Sequence, residues 1–111
     1  MISPDQIRKA EQLIRPYIRK TPVLTIQGKD FGLDSESILF KLELFQHSGS
    51  FKPRGAFTNL LMRDVPKSGV VAASGGNHGA AVAYAAMILR KPARIFVPSV
   101  ASPAKMERIR G

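Results

Sequence analysis

Cysteine is absent from this 111-residue chain. Disulfides, thiolate metal ligands and cysteine nucleophiles are thereby excluded. Tryptophan is absent too, and histidine occurs only at His47 and His78. Two histidines at that separation, without a supporting carboxylate pair, predict no metal site. Long apolar runs are also missing. The longest, Ala80 to Leu89, is alanine-rich and falls well short of the ~18 residues that a membrane span needs. The opening Met1-Ile2-Ser3-Pro4-Asp5 lacks the charged and apolar regions of a signal peptide. A cytoplasmic location and no membrane partner are therefore expected.

Acidic residues are scarce: 8 Asp and Glu face 17 Lys and Arg, for a formal charge of +9. Such an excess raises nucleic acid as a partner. The cations are scattered, however, with no run longer than two and no stripe interleaved with aromatics. A nucleic-acid footprint clusters its charge, so no nucleic-acid partner is expected. The other reading of the imbalance is an acidic counterpart in polypeptide outside this chain.

What is there reads as alternating elements. Ser3-Pro4-Asp5-Gln6 is a helix start with a capping box, and Ile7, Ala10, Leu13, Ile14 and Tyr17 follow at helical spacing. Pro16 should end that helix near Ile14. An extended piece follows Thr21-Pro22, and Gln27 to Ser37 reads mostly as loop. The run Ile38 to Leu44 predicts a strand. Ser50 should cap a helix from Phe51 to about Met62, with Pro53 tolerated in its first turn. Beyond a connector at Asp64 to Gly69 come a short buried strand at Val70–Ala73, a loop at Ser74–Gly79, and a helix at Ala80–Leu89. A second strand at Arg94–Val97 and a final helix from Ser102-Pro103, capped by Gly111, complete the chain. Strand, helix and strand at this spacing form a βαβ unit, so the two strands should be parallel. The fold class is α/β.

Two stretches carry candidate chemistry. Ser74-Gly75-Gly76-Asn77-His78-Gly79 follows a strand and opens a helix. Unpaired N–H groups and the macrodipole favour an anion there, and the paired glycines allow close approach. The plainer alternative is a tight turn in which Asn77 merely caps the helix. The loop matches neither a Walker A nor a G-x-G-x-x-G pattern. The second stretch is Gly49-Ser50-Phe51-Lys52-Pro53-Arg54-Gly55-Ala56, which sets Lys52 at a helix start beside an aromatic ring. A partly desolvated lysine is a usable amine nucleophile that forms Schiff bases with carbonyl compounds. The alternative is a lysine on the exposed side of a first turn. His47, Arg54 and Glu43 are further candidates, each also readable as an ordinary loop, helix-surface or strand-edge residue.

Taken together, Phe40-Lys41-Leu42-Glu43, then Ser48-Gly49-Ser50-Phe51-Lys52-Pro53-Arg54-Gly55-Ala56, then Ser74-Gly75-Gly76-Asn77-His78-Gly79 resemble the fold-type II pyridoxal-phosphate enzymes. Within them the chain is similar to the threonine/serine dehydratase and serine racemase family, and Ile14 to Leu24 resembles that family's opening. The resemblance implies a truncated tryptophan-synthase-β-like architecture, with residues 1–65 in the large cofactor domain and 66–111 beginning the small open-sheet domain. It implies pyridoxal 5'-phosphate held by Lys52 as a Schiff base, with Lys52 also moving the Cα proton. Phe51 would lie against the cofactor ring and Asn77 would hydrogen-bond its phenolic oxygen. Ser74, Gly76, Asn77 and His78 would grip the carboxylate of an amino-acid substrate. The implied reaction removes water from L-threonine or L-serine, giving a 2-oxo acid and ammonia.

Three positions bear on the choice within the family. Family racemases tend to carry a second serine in the glycine-rich loop, where this chain has Gly75. Threonine synthases typically have aspartate at the position of Pro53 and threonine at that of His78. All three differences favour a dehydratase. Full members are also longer, so the cofactor's phosphate loop is expected outside this chain. The expectation is an N-terminal fragment, inactive by itself, with a homo-oligomer or a separate C-terminal chain as protein partner. A non-catalytic interaction module remains the alternative.

Overall fold

The computed structural model describes residues 1–34 and 36–110. Helix α1 spans Pro4–Ile14, and its capping box is formed: the Gln6 N–H donates to Ser3 Oγ while Gln6 accepts from the Ser3 N–H at 2.8 Å. Pro16 sits in a 3-10 turn directly after it. Strands β1 (Val23–Ile26) and β2 (Ile38–Lys41) pair antiparallel with Val23 opposite Lys41. Strand β2 is shorter than its apolar run predicts. The Leu42 N–H still donates to Pro22 O at 3.0 Å, but Pro22 has no N–H to return the pair. The chain then turns through 3-10 geometry at Glu43–Phe45 and His47–Gly49.

Helix α2 spans Lys52–Met62, with Pro53 in its first turn. The Ser50 hydroxyl accepts the Lys52 N–H at 3.4 Å, so the serine serves the helix start from two residues upstream. Strand β3 occupies Val70–Ala73, α3 spans Asn77–Ile88, and β4 spans Ala93–Phe96. The two strands are parallel, with Val70 opposite Ala93, as the βαβ spacing predicts. Helix α3 starts three residues earlier than its apolar run, with Gly76 and not Asn77 at the cap position. Helix α4 covers Pro103–Arg110. The expected cap at Gly111 lies outside the described residues.

One core joins both halves of the chain. Ile14, Ala56 and Phe57 pack with Ala72, Ala81, Val82 and Ala85. The alanine-rich sequence of α3 lets α2 and β3 approach it closely. Phe57 lies at the centre, stacked on Tyr17 at 5.2 Å and edge-on to Tyr84 at 6.1 Å between ring centroids. Strand β3 is less buried than expected: Ala72 is buried, whereas Val71 is 68% exposed. The reason is that α3 covers one face of a two-stranded sheet, and a parallel sheet is normally covered on both.

The turn into β3 depends on Gly69. Its φ is +87°, and a Cβ there would lie 2.0 Å from Pro92 O, the atom that accepts the Val70 N–H. Gly69→Ala combines a disfavoured φ with an overlap against backbone. It is expected to cost about 3 kcal/mol, read as a fall in the denaturant midpoint. An unchanged midpoint would refute this account of the turn.

Candidate active site

Glu43 anchors the segment that leads to Lys52. Arg54 grips its carboxylate with Nε and Nη2, both at 2.8 Å, and the Thr21 hydroxyl donates to it at 2.6 Å. This bidentate pair ties the end of β2 to the first turn of α2. Buried Gln46 fixes the next stretch, accepting the Arg19 N–H and donating to Arg19 O, each at 2.9 Å. The His47 ring stacks on Tyr84 at 4.7 Å, with Nδ1 and the Tyr84 hydroxyl 3.0 Å apart. Glu43, Arg54 and His47 therefore hold the scaffold around the Lys52 turn.

Two of these groups make stability pH-dependent. The Arg54 hydrogen bonds hold the Glu43 carboxyl below its ordinary pKa. Burial, with Arg19 nearby, lowers that of His47. In both cases the unfolded chain binds the proton more readily, so the associated stability is present at high pH and lost on acidification. The melting temperature should fall below pH ~6.5 through His47 and again below ~4.3 through Glu43. His47→Gln should remove the upper step, and its persistence in that variant would refute the assignment.

Lys52 is half-buried at the start of α2, with Nζ 4.9 Å from the centroid of the exposed Phe51 ring, a cation–π contact. Both residues open onto a cleft of about 750 Å³ between α2, the connector, β3 and the first turn of α3. His78 lines the same cleft, 26 positions away in sequence, as do Arg63 and Asp64 of the connector. Nothing in the sequence pattern marks those last two.

The rest of the glycine-rich loop faces elsewhere. Gly76 and Asn77 line a separate recess of about 30 Å³ with Lys105 and Arg108 of α4. The Ser74 hydroxyl accepts the Gly76 N–H at 3.3 Å. Gly76, at the cap position of α3, has no side chain to satisfy that helix's first N–H groups. Arg108 also donates to Ser48 O at 2.5 Å, tying α4 to the turn before Lys52. The sequence gives no signal for this contact, because nothing local to Arg108 encodes a partner 60 residues away. Among the described residues, no cluster of His, Asp and Glu could hold a metal ion, and no helix is long and apolar enough to cross a membrane.

Comparison with known proteins gives one consistent result. The profile of a family described as "Pyridoxal-phosphate dependent enzyme" matches residues 14–111. A serine racemase of Oryza sativa subsp. indica is 42% identical over 106 residues, covering 94% of this chain and 31% of that protein. A phenylserine dehydratase of Ralstonia pickettii is 45% identical over 96 residues, covering 84% of this chain and 29% of that protein. The solved structure of maize serine racemase superposes with a TM-score of 0.85 at 40% identity, over 96% of this chain and 32% of its own. The chain thus spans about a third of the length of these relatives. From its motifs, its parallel βαβ unit and these matches, the chain belongs to the fold-type II family of pyridoxal-phosphate-dependent enzymes.

Proposed function

We propose that the chain supplies the lysine-bearing part of an ammonia-lyase that removes water from L-threonine or L-serine, giving a 2-oxo acid and ammonia. The observation that carries this reading is the shared cleft: Lys52, Phe51 and His78 come together on one opening of about 750 Å³. An amine on its rim beside an aromatic face fits covalent attachment of a pyridine aldehyde. When bound, pyridoxal 5'-phosphate supplies an electron sink for charge developing at the substrate Cα. Lys52 Nζ holds the cofactor and later accepts the Cα proton. Phe51 offers its ring face to the cofactor, and His78, on the same cleft, meets the substrate carboxylate. Asn77 would offer its amide to the cofactor, and Ser74, Gly76 and Asn77 would join His78 at the carboxylate, only once the loop turns from the recess that Gly76 and Asn77 line with Lys105 and Arg108.

A dehydratase is preferred to a racemase on steric grounds. A Cβ at Gly75 would lie 3.2 Å from both Ala101 Cβ and Pro98 Cδ, so a serine base at this position requires its neighbours to shift. Pro53 and His78 weigh against a threonine synthase. Residues 1–65 are assigned to the large domain and 66–111 to the small one, in a cytoplasmic enzyme that acts as a homo-oligomer or with a C-terminal complement. A second reading, a non-catalytic interaction module, draws on the separation of Gly76 and Asn77 from the cleft that holds Lys52.

The test is incubation with pyridoxal phosphate, borohydride reduction and mapping of the modified lysine by mass spectrometry. An adduct concentrated on Lys52 supports the first reading. Labelling spread over many lysines, or absent, sinks it and leaves the second.

A further inference from the structure

We propose that His47 is a positioning residue for Lys52: neutral, it joins the turn before Lys52 to helix α3 through Tyr84, and protonated, it lets go, so that the two sides of the Lys52–His78 cleft lose their fixed spacing. The inference rests on the role proposed for Lys52, whereas the contact it invokes does not.

The turn at His47–Gly49 is held from outside. Ser48 has φ +57° and Gly49 φ +72°, and a serine in the left-handed region persists only where its surroundings enforce it. The Ser48 hydroxyl is buried and makes no hydrogen bond, so that side chain offers no compensation. Three contacts enforce the turn. The Gly49 N–H donates to Gln46 O at 2.9 Å, Arg108 donates to Ser48 O, and the His47 ring lies on Tyr84. Of these, the imidazole contact is the one a proton can switch near neutrality. Tyr84 sits on the helix that begins at Asn77 and carries His78. The same ring is edge-on to Phe57, five residues after Lys52 on α2. Lys52 is thus anchored to α3 from both sides. With the His47 anchor lost, the turn can pivot about the Phe57 one.

Charge sets the direction of the switch. The elements packed against the turn carry Lys52 and Arg54 on α2, Tyr84 and His78 on α3, and Arg108 on α4. Glu43, on the preceding turn, is already held by Arg54 and Thr21. An imidazolium would join a largely cationic neighbourhood from a half-buried position, and burial and Arg19 both oppose it. In the neutral tautomer protonated at Nε2, Nδ1 accepts the Tyr84 hydroxyl at 3.0 Å. The imidazolium has no lone pair left to do so, and gains by turning out to water.

The test traps the Lys52 adduct of pyridoxal phosphate with cyanoborohydride from about pH 5 to 8. Parent is compared with His47→Gln, whose amide oxygen can accept from Tyr84 at every pH. The ratio of parent to variant yield cancels the lysine's own titration. It should be near one at the alkaline end and fall about fivefold below pH ~6.5, the loss of one neutral hydrogen bond. Tyr84→Phe, which keeps the ring stack, should show the lowered yield throughout. A ratio that stays flat overturns the proposal. A second measurement needs no cofactor. In a His78→Gln background His47 is the sole imidazole, and the Lys52 and Asn77 amide resonances should both follow its titration. Adding Tyr84→Phe should detach Asn77. An Asn77 amide that ignores His47, or follows it without the Tyr84 hydroxyl, also overturns the proposal. Absence of a Lys52 adduct at every pH sinks the proposed function, and the amide titration then decides the coupling by itself.

Discussion

Lys52→Ala is expected to abolish the specific pyridoxal-phosphate adduct altogether. Attachment needs a neutral amine held at a cleft where a planar aldehyde can approach, and alanine removes the amine while leaving the cleft. Lys52→Arg sharpens the experiment. It keeps a cation able to rest over Phe51, now 4.9 Å from Lys52 Nζ, but guanidinium stays protonated and forms no stable adduct. Loss of labelling in both variants, with the fold preserved, assigns the chemistry to the amine and not to the charge. Lys105, on the separate recess with Gly76 and Asn77, is the internal control. If labelling moves to Lys105 or stays undiminished in Lys52→Ala, the assignment of Lys52 is wrong.

Phe57→Ala should unfold the chain. The side chain is 0% exposed, with Tyr17 stacked on it and Tyr84 edge-on. Truncating a buried phenylalanine costs about 3–5 kcal/mol in transfer and cavity terms. A domain of this size has about 5–15 kcal/mol in reserve, and one with a sheet face left open is expected at the lower end. The thermal transition should be lost or lie near room temperature, whereas Phe57→Leu, which keeps most of the volume, should retain a cooperative transition. A Phe57→Ala variant that melts like the parent would mean that the core does not depend on this ring.

Local chemistry explains which parts of the fold were legible in sequence. The capping box is carried by Ser3 and Gln6, close together in sequence, and the βαβ unit from Val70 by consecutive elements with short connections, and both form as read. The end of β2 is set by Pro22, across the ladder from it, and so escapes a reading of Ile38–Leu44 alone. Helix α3 begins at Asn77 because backbone geometry, not hydrophobic pattern, defines its first turn. The site divides along the same line. Lys52 with Phe51 is legible from one stretch of sequence, and the glycine-rich loop from another. That His78 shares a cleft with Lys52 while Asn77 opens toward Arg108 depends on the placement of α2, α3 and α4, which no short stretch encodes.

The aromatic cluster also makes the chain its own optical probe. Tyr17 and Tyr84 are the only tyrosines, and there is no tryptophan. Both flank Phe57, so nearly all intrinsic near-ultraviolet emission originates within one ring's width of the core's centre. Quenching, anisotropy and emission lifetime of the unlabelled chain therefore report on that single point. Because His47 lies against Tyr84, protonation of the imidazole should register in the same signal without any dye.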